Sequence, residues 1–256
     1  MSVFALTLRG NCAIIIALFL RKIMRFCFRQ REFMKLSQCL KIEKGVTAVI
    51  GGGGKTTLTH VLARELAMQG KVIITTSTKI WPPQEITYLL EPTESEITAA
   101  LEKESVICVG KPHETGKLTA CSIPVSRLGE LCDYLLVEAD GSAGLPLKGH
   151  GENEPQIPPE SNQTVLVLGV WGIGQSIAAA AHRPAIYAAL AGAEMEDTVT
   201  AEMAAKVISA ENLHTRVFIN GVEDEEKEKA ACAVAAGLDC PVVIGTLKEG
   251  TYQCLF

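Results

Sequence analysis

The chain has 256 residues, 48% hydrophobic and 21% charged, which is enough to bury a full core as one α/β domain and too apolar for disorder over its bulk. Its net charge of -5 hides an asymmetry: residues 1–45 carry nine Lys/Arg against two Asp/Glu, so the remainder is near -12, an acidic body poorly suited to nucleic acid. Nine cysteines, with no C-x-x-C pair and none at metal-ligand spacing from a histidine, read as small hydrophobes of a reducing, cytoplasmic compartment, not as disulfides or zinc ligands.

Residues 1–33 form an extension distinct from the domain expected over 34–256. Cys12 to Leu20 is an apolar run of nine followed by Arg21, Lys22, Arg25, Arg29 and Arg31. A spanning helix needs about 20 apolar residues, and a signal peptide carries its charges before the apolar run, so neither fits and a membrane is not the favoured partner. A peripheral amphipathic anchor, a packed helix and a stretch upstream of the true start compete as readings. Met34, just before the first domain-like sequence, favours the last.

From Lys41 apolar segments, glycine turns and helical patterns alternate regularly, the signature of an α/β fold with a mostly parallel sheet flanked by helices. The first strand is Val46 to Ile50. Gly51, Gly52, Gly53 and Gly54 follow, then Lys55, Thr56 and Thr57 open a helix that runs to Gln69 and stops at Gly70. Strand, bare-backbone turn and helix start in this order predict a phosphate-binding loop of the P-loop NTPase kind. Glycines let amides approach an anion, the helix start offers unpaired N–H groups, Lys55 neutralises phosphate and Thr56 can ligate magnesium. The match is to the short core G-x-x-G-K-T-T, because Val49 stands where the longer pattern wants its first glycine.

The second strand, Lys71 to Thr76, exits into Thr75, Thr76, Ser77 and Thr78, a hydroxyl cluster expected to face the same phosphates. Thr93 and Glu96 form a capping box for a helix to about Glu104, Val106 to Gly110 is a short strand, and Lys111 to Ser122 reads as a hairpin or loop. Tyr134 to Glu138 is a buried strand that delivers Glu138 and Asp140 to its carboxyl end. Such a protein needs a carboxylate there to hold magnesium or orient its water. Residues 145–163, with four prolines, read as a long surface loop in which Lys148 and His150 are candidate contacts for an anionic substrate.

Thr164 to Gly169 is a further strand, Ala178 to Ala181 a helix, and Pro184 suits the first turn of the helix from Ala185 to Ala191, with Arg183 before it as a surface arginine or a phosphate contact. Thr200 caps a helix to Ser209. Arg216 to Asn220 is a strand whose exit, Asn220-Gly221-Val222-Glu223, departs from the N-K-x-D of guanine-specific switches, so Asn220 is a candidate base contact with the base left open between ATP and GTP. Glu223 to Ala236 is a charged helix and Pro241 to Gly245 the last strand.

Together G-G-G-G-K-T-T, T-T-S-T-K-I, V-E-A-D-G-S-A-G-L-P-L-K and H-R-P over residues 34–250 resemble the YqeC family, accessory proteins of selenium-dependent molybdenum hydroxylases. The resemblance implies a phosphate-loop nucleotide-binding fold, with Gly51 to Thr57 at the phosphates and Glu138 with Asp140 at the acidic strand end. It also implies a role in preparing or inserting a selenium-containing molybdenum cofactor, with a molybdenum hydroxylase or its cofactor-assembly proteins as partners. The loop core is also similar to that of Mur-type ligases.

The leading expectation is a nucleotide-hydrolysing maturation factor in which Lys55, Glu138 and Asp140 are catalytic and Thr56, Glu138 and Asp140 hold Mg2+. Two alternatives stand beside it: a kinase- or ligase-like transferase acting on a small substrate held by Lys148, His150 or Arg183, and a non-catalytic nucleotide-dependent switch or chaperone. Self-association is compatible with all three.

Overall fold

The computed structural model describes residues 34–255, so the N-terminal extension, with its apolar run from Cys12 to Leu20, lies outside the described residues. A short helix α1 (Leu36–Cys39) leads into β1 (Gly45–Gly51), and α2 (Lys55–Leu66) follows the glycine turn. Then come β2 (Val72–Thr76), β3 (Lys79–Ile80), β4 (Tyr88–Leu90), α3 (Glu94–Lys103), β5 (Val106–Pro112), β6 (Leu118–Thr119), α4 (Val125–Glu130) and β7 (Tyr134–Glu138). The second half contains β8 (Leu147–Lys148), β9 (Ser161–Gly169), a single 3-10 turn at Val170–Gly172, α5 (Ile177–Ala180), β10 (Ala181–His182), α6 (Pro184–Ala191) and α7 (Ala201–Glu211). It closes with β11 (Arg216–Asn220), α8 (Glu225–Ala235), β12 (Val242–Thr246) and β13 (Thr251–Leu255).

The main sheet runs β13-β12-β11-β9-β1-β7-β2-β5-β6-β3, with β4 also on β5. Every pairing from β12 across to β5 and β4 is parallel, and β13, β6 and β3 are antiparallel additions at the margins. Strand β1 is central and buried along nearly its whole length, so it reads as a continuous apolar run with alternate residues serving opposite faces. Ala48 and Ile50 pack with Tyr187, Ala204, Ile208 and Val234 from α6, α7 and α8, while Val49 packs with Leu58, Leu62 and Leu66 of α2. The sheet is thus covered by helices on both faces.

The capping box at Thr93 forms as expected, with Thr93 Oγ1 accepting from Glu96 N, and Thr200 Oγ1 accepts from Met203 N to start α7. Lys111 to Ser122 is the antiparallel β5–β6 hairpin. Three expectations need correction. Residues 145–163 are not one surface loop: β8 pairs in parallel with β10 through Leu147 and Lys148, and β9 begins at Ser161. The helix expected over Ala178–Ala181 stops at Ala180, and Ala181 enters β10. The chain also adds β13 after the strand expected to be last, a half-exposed margin strand that carries little hydrophobic signal.

Candidate functional site

Because β1, β2, β7, β9 and β11 are parallel, their carboxyl ends share one edge of the sheet. Gly51, Thr76, Glu138, Gly169 and Asn220 therefore meet there. In open α/β sheets this edge is where ligands sit, beside the point at which the chain switches from one half of the sheet to the other. Strands β7 and β2 lie on one side of β1, and β9, β11 and β12 on the other.

The glycine turn is fixed by close backbone contact. Gly53 has φ +78, and a Cβ on it would lie 2.3 Å from the amide nitrogen of Gly169. Gly54 caps α2 with φ +121, a conformation other residues rarely adopt. The amides of Gly51, Gly52 and Gly53 are spent on the protein, donating to Asp140 Oδ2 (2.8 Å), Val167 O (2.9 Å) and Leu145 O (3.0 Å). Leu58 N makes the first bond of the helix, to Gly54 O at 2.9 Å. The amides of Lys55, Thr56 and Thr57 before it have no helical acceptor, and with them the positive end of the helix dipole opens onto the cleft. Gly51 to Gly53 thus frame the turn, and the open donors stand one step later.

Behind the turn lies a buried set of charges. Lys55 Nζ donates to Gly51 O (2.5 Å) and sits 3.1 Å from Asp140 Oδ1. Asp140 Oδ2 also receives His150 Nε2 at 2.8 Å and lies 3.3 Å from Lys148 Nζ. Lys148 in turn donates to Gly141 O and to Glu154 Oε2 (2.7 Å), and Glu154 also holds Arg183 at 3.1 Å. His150 bridges Asp140 to Glu211, whose Oε2 is 2.7 Å from Nδ1. Burial works against ionisation of Asp140, but the hydrogen bond from His150, the ammonium groups of Lys55 and Lys148 and the Gly51 amide outweigh it and hold its carboxyl below the usual range. Burial likewise opposes a charged His150, and its bonds to Asp140 and Glu211 override that and raise its pKa. Lys148 and His150, expected as loop contacts for a substrate, are instead scaffold: Lys148 is buried in β8, and both side chains are committed to carboxylates.

Glu138 differs: Asp140 Oδ1 also lacks a hydrogen bond but has Lys55 Nζ at 3.1 Å, whereas Glu138 has no cation within ion-pair distance among the described residues. It is buried, and Thr56 Oγ1 donates to its Oε2 at 3.2 Å, but Oε1 has no hydrogen-bond partner among the described residues. Burial raises its pKa to about 7, against the attraction of Lys55 and the bond from Thr56. A hydroxyl and a partly unsatisfied carboxylate at a helix start are the protein ligands a magnesium ion asks for when phosphate and water supply the rest, so this pair fits such an ion.

Asn220 is tied into the loop: its Nδ2 donates to Gly53 O (2.8 Å) and its Oδ1 accepts from Leu247 N (3.1 Å). The threonine cluster is spent on the scaffold as well. Thr75 Oγ1 donates to Val109 O, Thr76 Oγ1 to Glu138 O and Ser77 Oγ to Gln156 O, at 3.0, 2.8 and 2.7 Å. These bonds tie the end of β2 to β5, to the end of β7 and to the loop at Gln156, and Thr78 N donates to Thr76 Oγ1.

In front of the loop opens a cleft of about 840 Å3 that reaches from Trp171 and Asn220 along Gly53 to Thr57, past Glu138 and Gly141 to Gly144, as far as Lys79, Trp81 and Lys117. A second hollow of about 500 Å3 adjoins it on the other side, between Trp171, Asn220, Glu223, Lys227 and Thr246 to Lys248. Sequence reasoning missed Trp171, Lys79, Trp81 and Lys117. Their only signal was that each follows a strand or sits in a turn at the same edge.

A parallel sheet with helices on both faces, a central strand running through a glycine turn into a helix that begins Lys-Thr-Thr, and carboxylates at the end of the neighbouring strand define a P-loop NTPase-like α/β protein. A family model described as "YqeC protein" matches residues 47–185, more than half of the chain, and the chain belongs to that family. A protein of Escherichia coli (strain K12) named "Uncharacterized protein YqeC" is 31% identical over 162 residues, covering 60% of this chain and 63% of its own length. Among solved structures, the signal recognition particle 54 kDa protein of Aeropyrum pernix K1, in complex with GDP, aligns over 84% of this chain and 44% of its own, with a TM-score of 0.42 and 11% identity.

Proposed function

We propose that the protein binds a magnesium nucleoside triphosphate, ATP or GTP, at the Gly51–Thr57 loop and hydrolyses it as an accessory factor that matures or inserts the selenium- and molybdenum-containing cofactor of a hydroxylase. The observation that carries the nucleotide reading is the meeting of Lys55, Thr56 and the half-satisfied, buried Glu138 at the start of α2. The pathway rests on family membership.

In this reading the open amides of Lys55 to Thr57 receive phosphate oxygens and Lys55 turns its ammonium onto them. That turn does not strand Asp140, because Lys148, His150 and Gly51 N remain on the carboxylate. Thr56 and Glu138 would hold a magnesium ion, and its chemistry there would be to neutralise charge on the phosphates. Held at the ion Glu138 would be ionised, and its Oε1, which has no partner among the described residues, could accept a hydrogen bond from an attacking water. Asn220 keeps the loop in shape through Gly53 O, and the hollow beside it, walled by Trp171, takes the base. The reach of the cleft beyond Glu138 favours a second reading, transfer of the terminal phosphoryl group to a small substrate.

Magnesium-dependent turnover of ATP, GTP and CTP by the full chain, with Glu138→Gln beside it, separates the readings. Steady release of phosphate from water alone, lost in the variant, supports hydrolysis. Turnover only with an added small acceptor supports transfer. Tight binding with no turnover under either condition leaves a nucleotide-read switch and removes the enzymatic reading.

A further inference from the structure

The cleft in front of the loop continues past Glu138 to a cluster of lysine and tryptophan side chains that the phosphate loop does not account for. In an acidic protein this end gathers two lysines and a tryptophan: Lys79 in β3, Trp81 just after it and Lys117 just before β6. Strands β3 and β6 pair through Lys79 with Thr119 and Ile80 with Leu118, and β6 is anchored on β5, so all three side chains hang from one short antiparallel framework. Ile80 and Leu118 are buried and fix that framework to the core.

Among the described residues neither Lys79 nor Lys117 has a carboxylate within ion-pair distance, and the contact Lys117 does make is over the Trp81 ring, 5.1 Å from its centroid. Trp81 is 62% exposed. A tryptophan ring left this open does not serve the core, and the ammonium groups of Lys79 and Lys117, which line the same end of the cleft, do not serve an ion-pair network. Rings of this kind stack on flat π faces, and paired lysines attract anions.

The direction of the loop decides which end of a nucleotide this lobe would meet. Thr56 and Glu138 mark the metal and terminal-phosphate end, on the β7 and β2 side of β1. Lys79 and Trp81 follow β2 on that same side, whereas the Asn220 hollow lies across β1 at the ends of β11 and β12. The base and the lobe are therefore at opposite ends.

We propose that Lys79, Trp81 and Lys117 form a binding site for a second ligand, an anion with a flat aromatic or heteroaromatic face, seated beside the terminal phosphate of the nucleotide. Its position rests on the nucleotide reading above. Its existence as an anion and ring site does not.

The chain has two tryptophans, so the 15N-labelled full-length protein gives two indole N–H signals, assigned with Trp81→Phe and Trp171→Phe. Quinoline-2-carboxylate serves as the probe, with quinoline-2-carboxamide as its uncharged counterpart and cyclohexanecarboxylate as an anion without a ring face. For a ligand of this size a dissociation constant of about 1 mM is expected. The proposal predicts a saturable shift of the Trp81 signal with quinoline-2-carboxylate, at least about tenfold weaker binding of the other two, and a similar loss in the Lys79→Gln/Lys117→Gln double variant. Its urea midpoint is to be checked against wild type. No Trp81 shift up to about 10 mM, equal binding of carboxylate and carboxamide, or full binding by the double variant overturns the site. Nucleotide binding is followed by calorimetry on the same samples. Nucleotide binding without a probe response sinks the lobe and spares the nucleotide reading, and a probe response without nucleotide binding overturns the placement beside a terminal phosphate.

Discussion

Behind and in front of the glycine turn the protein handles charge in opposite ways. Behind it, Asp140, Lys148, His150, Glu154 and Glu211 are linked into one chain of ion pairs in which every carboxylate has a cation within about 3.3 Å. In front, Glu138 keeps an oxygen with no partner, and Lys79 and Lys117 keep ammonium groups with no carboxylate, all among the described residues. Burying a charge without a partner is costly, so the paired set reads as architecture and buried Glu138 as a place for something else to bind, while Lys79 is exposed and Lys117 half-buried and both are free to meet a ligand from solvent. Asp140 and Glu138 sit two residues apart and fall on different sides of this divide.

The sharpest way to break that comparison is Lys148→Met, which leaves Asp140 and Glu154 short of a buried cation. A loss of about 3–5 kcal/mol in urea unfolding is expected. A change under about 1 kcal/mol would mean that water reaches these groups and that the two regions do not differ as described.

Glu138→Gln probes the front. With its pKa raised from 4.5 to about 7, the folded protein holds a proton there that the unfolded chain has released, so wild-type stability falls as pH rises through that window and levels off above it. At about 1.36 kcal/mol per unit, the variant should gain about 3 kcal/mol on wild type between pH 4.5 and 7, read from urea midpoints in EDTA. Parallel curves for the two proteins would show that Glu138 is not desolvated.

Asn220→Ala removes the bonds to Gly53 O and Leu247 N and should cost about 2 kcal/mol. Calorimetry should show ATP and GTP weakened by the same factor, and a change in their ratio would make Asn220 a reader of the base. The smallest effect is expected at Lys117→Gln, within about 0.5 kcal/mol in unfolding, because its ammonium supports no ion pair of the fold. A larger loss would move it from the front set to the architecture.

The turn, the strands around it and the pair Glu138/Asp140 were legible because they are local: glycines, a helix start and an apolar run ending in acids follow one another in sequence. The partners of Asp140 were not. His150 reaches it across a turn, but Glu211 joins 61 residues further on, and the two-residue strands β8 and β10 that bury Lys148 have no periodicity to read. Prolines and acids made that segment look solvated. The hydroxyls at the end of β2, Thr75, Thr76 and Ser77, misled for the same reason, since their acceptors, Val109, Glu138 and Gln156, lie on strands and loops that sequence order does not bring near. Asn220 sits at the expected strand end, but what its amide holds is visible only once β1 and β11 are set on either side of β9.

The most direct test of the central claim is isothermal titration of the full chain with ATP and with GTP, each with and without magnesium, for wild type and Lys55→Ala at equal folded fraction. Saturable binding of at least one nucleotide, strengthened by magnesium and weakened about 100-fold or more in the variant, is the predicted result. Equal binding by both proteins, or none by wild type, would contradict the assignment of the Gly51–Thr57 turn to phosphate.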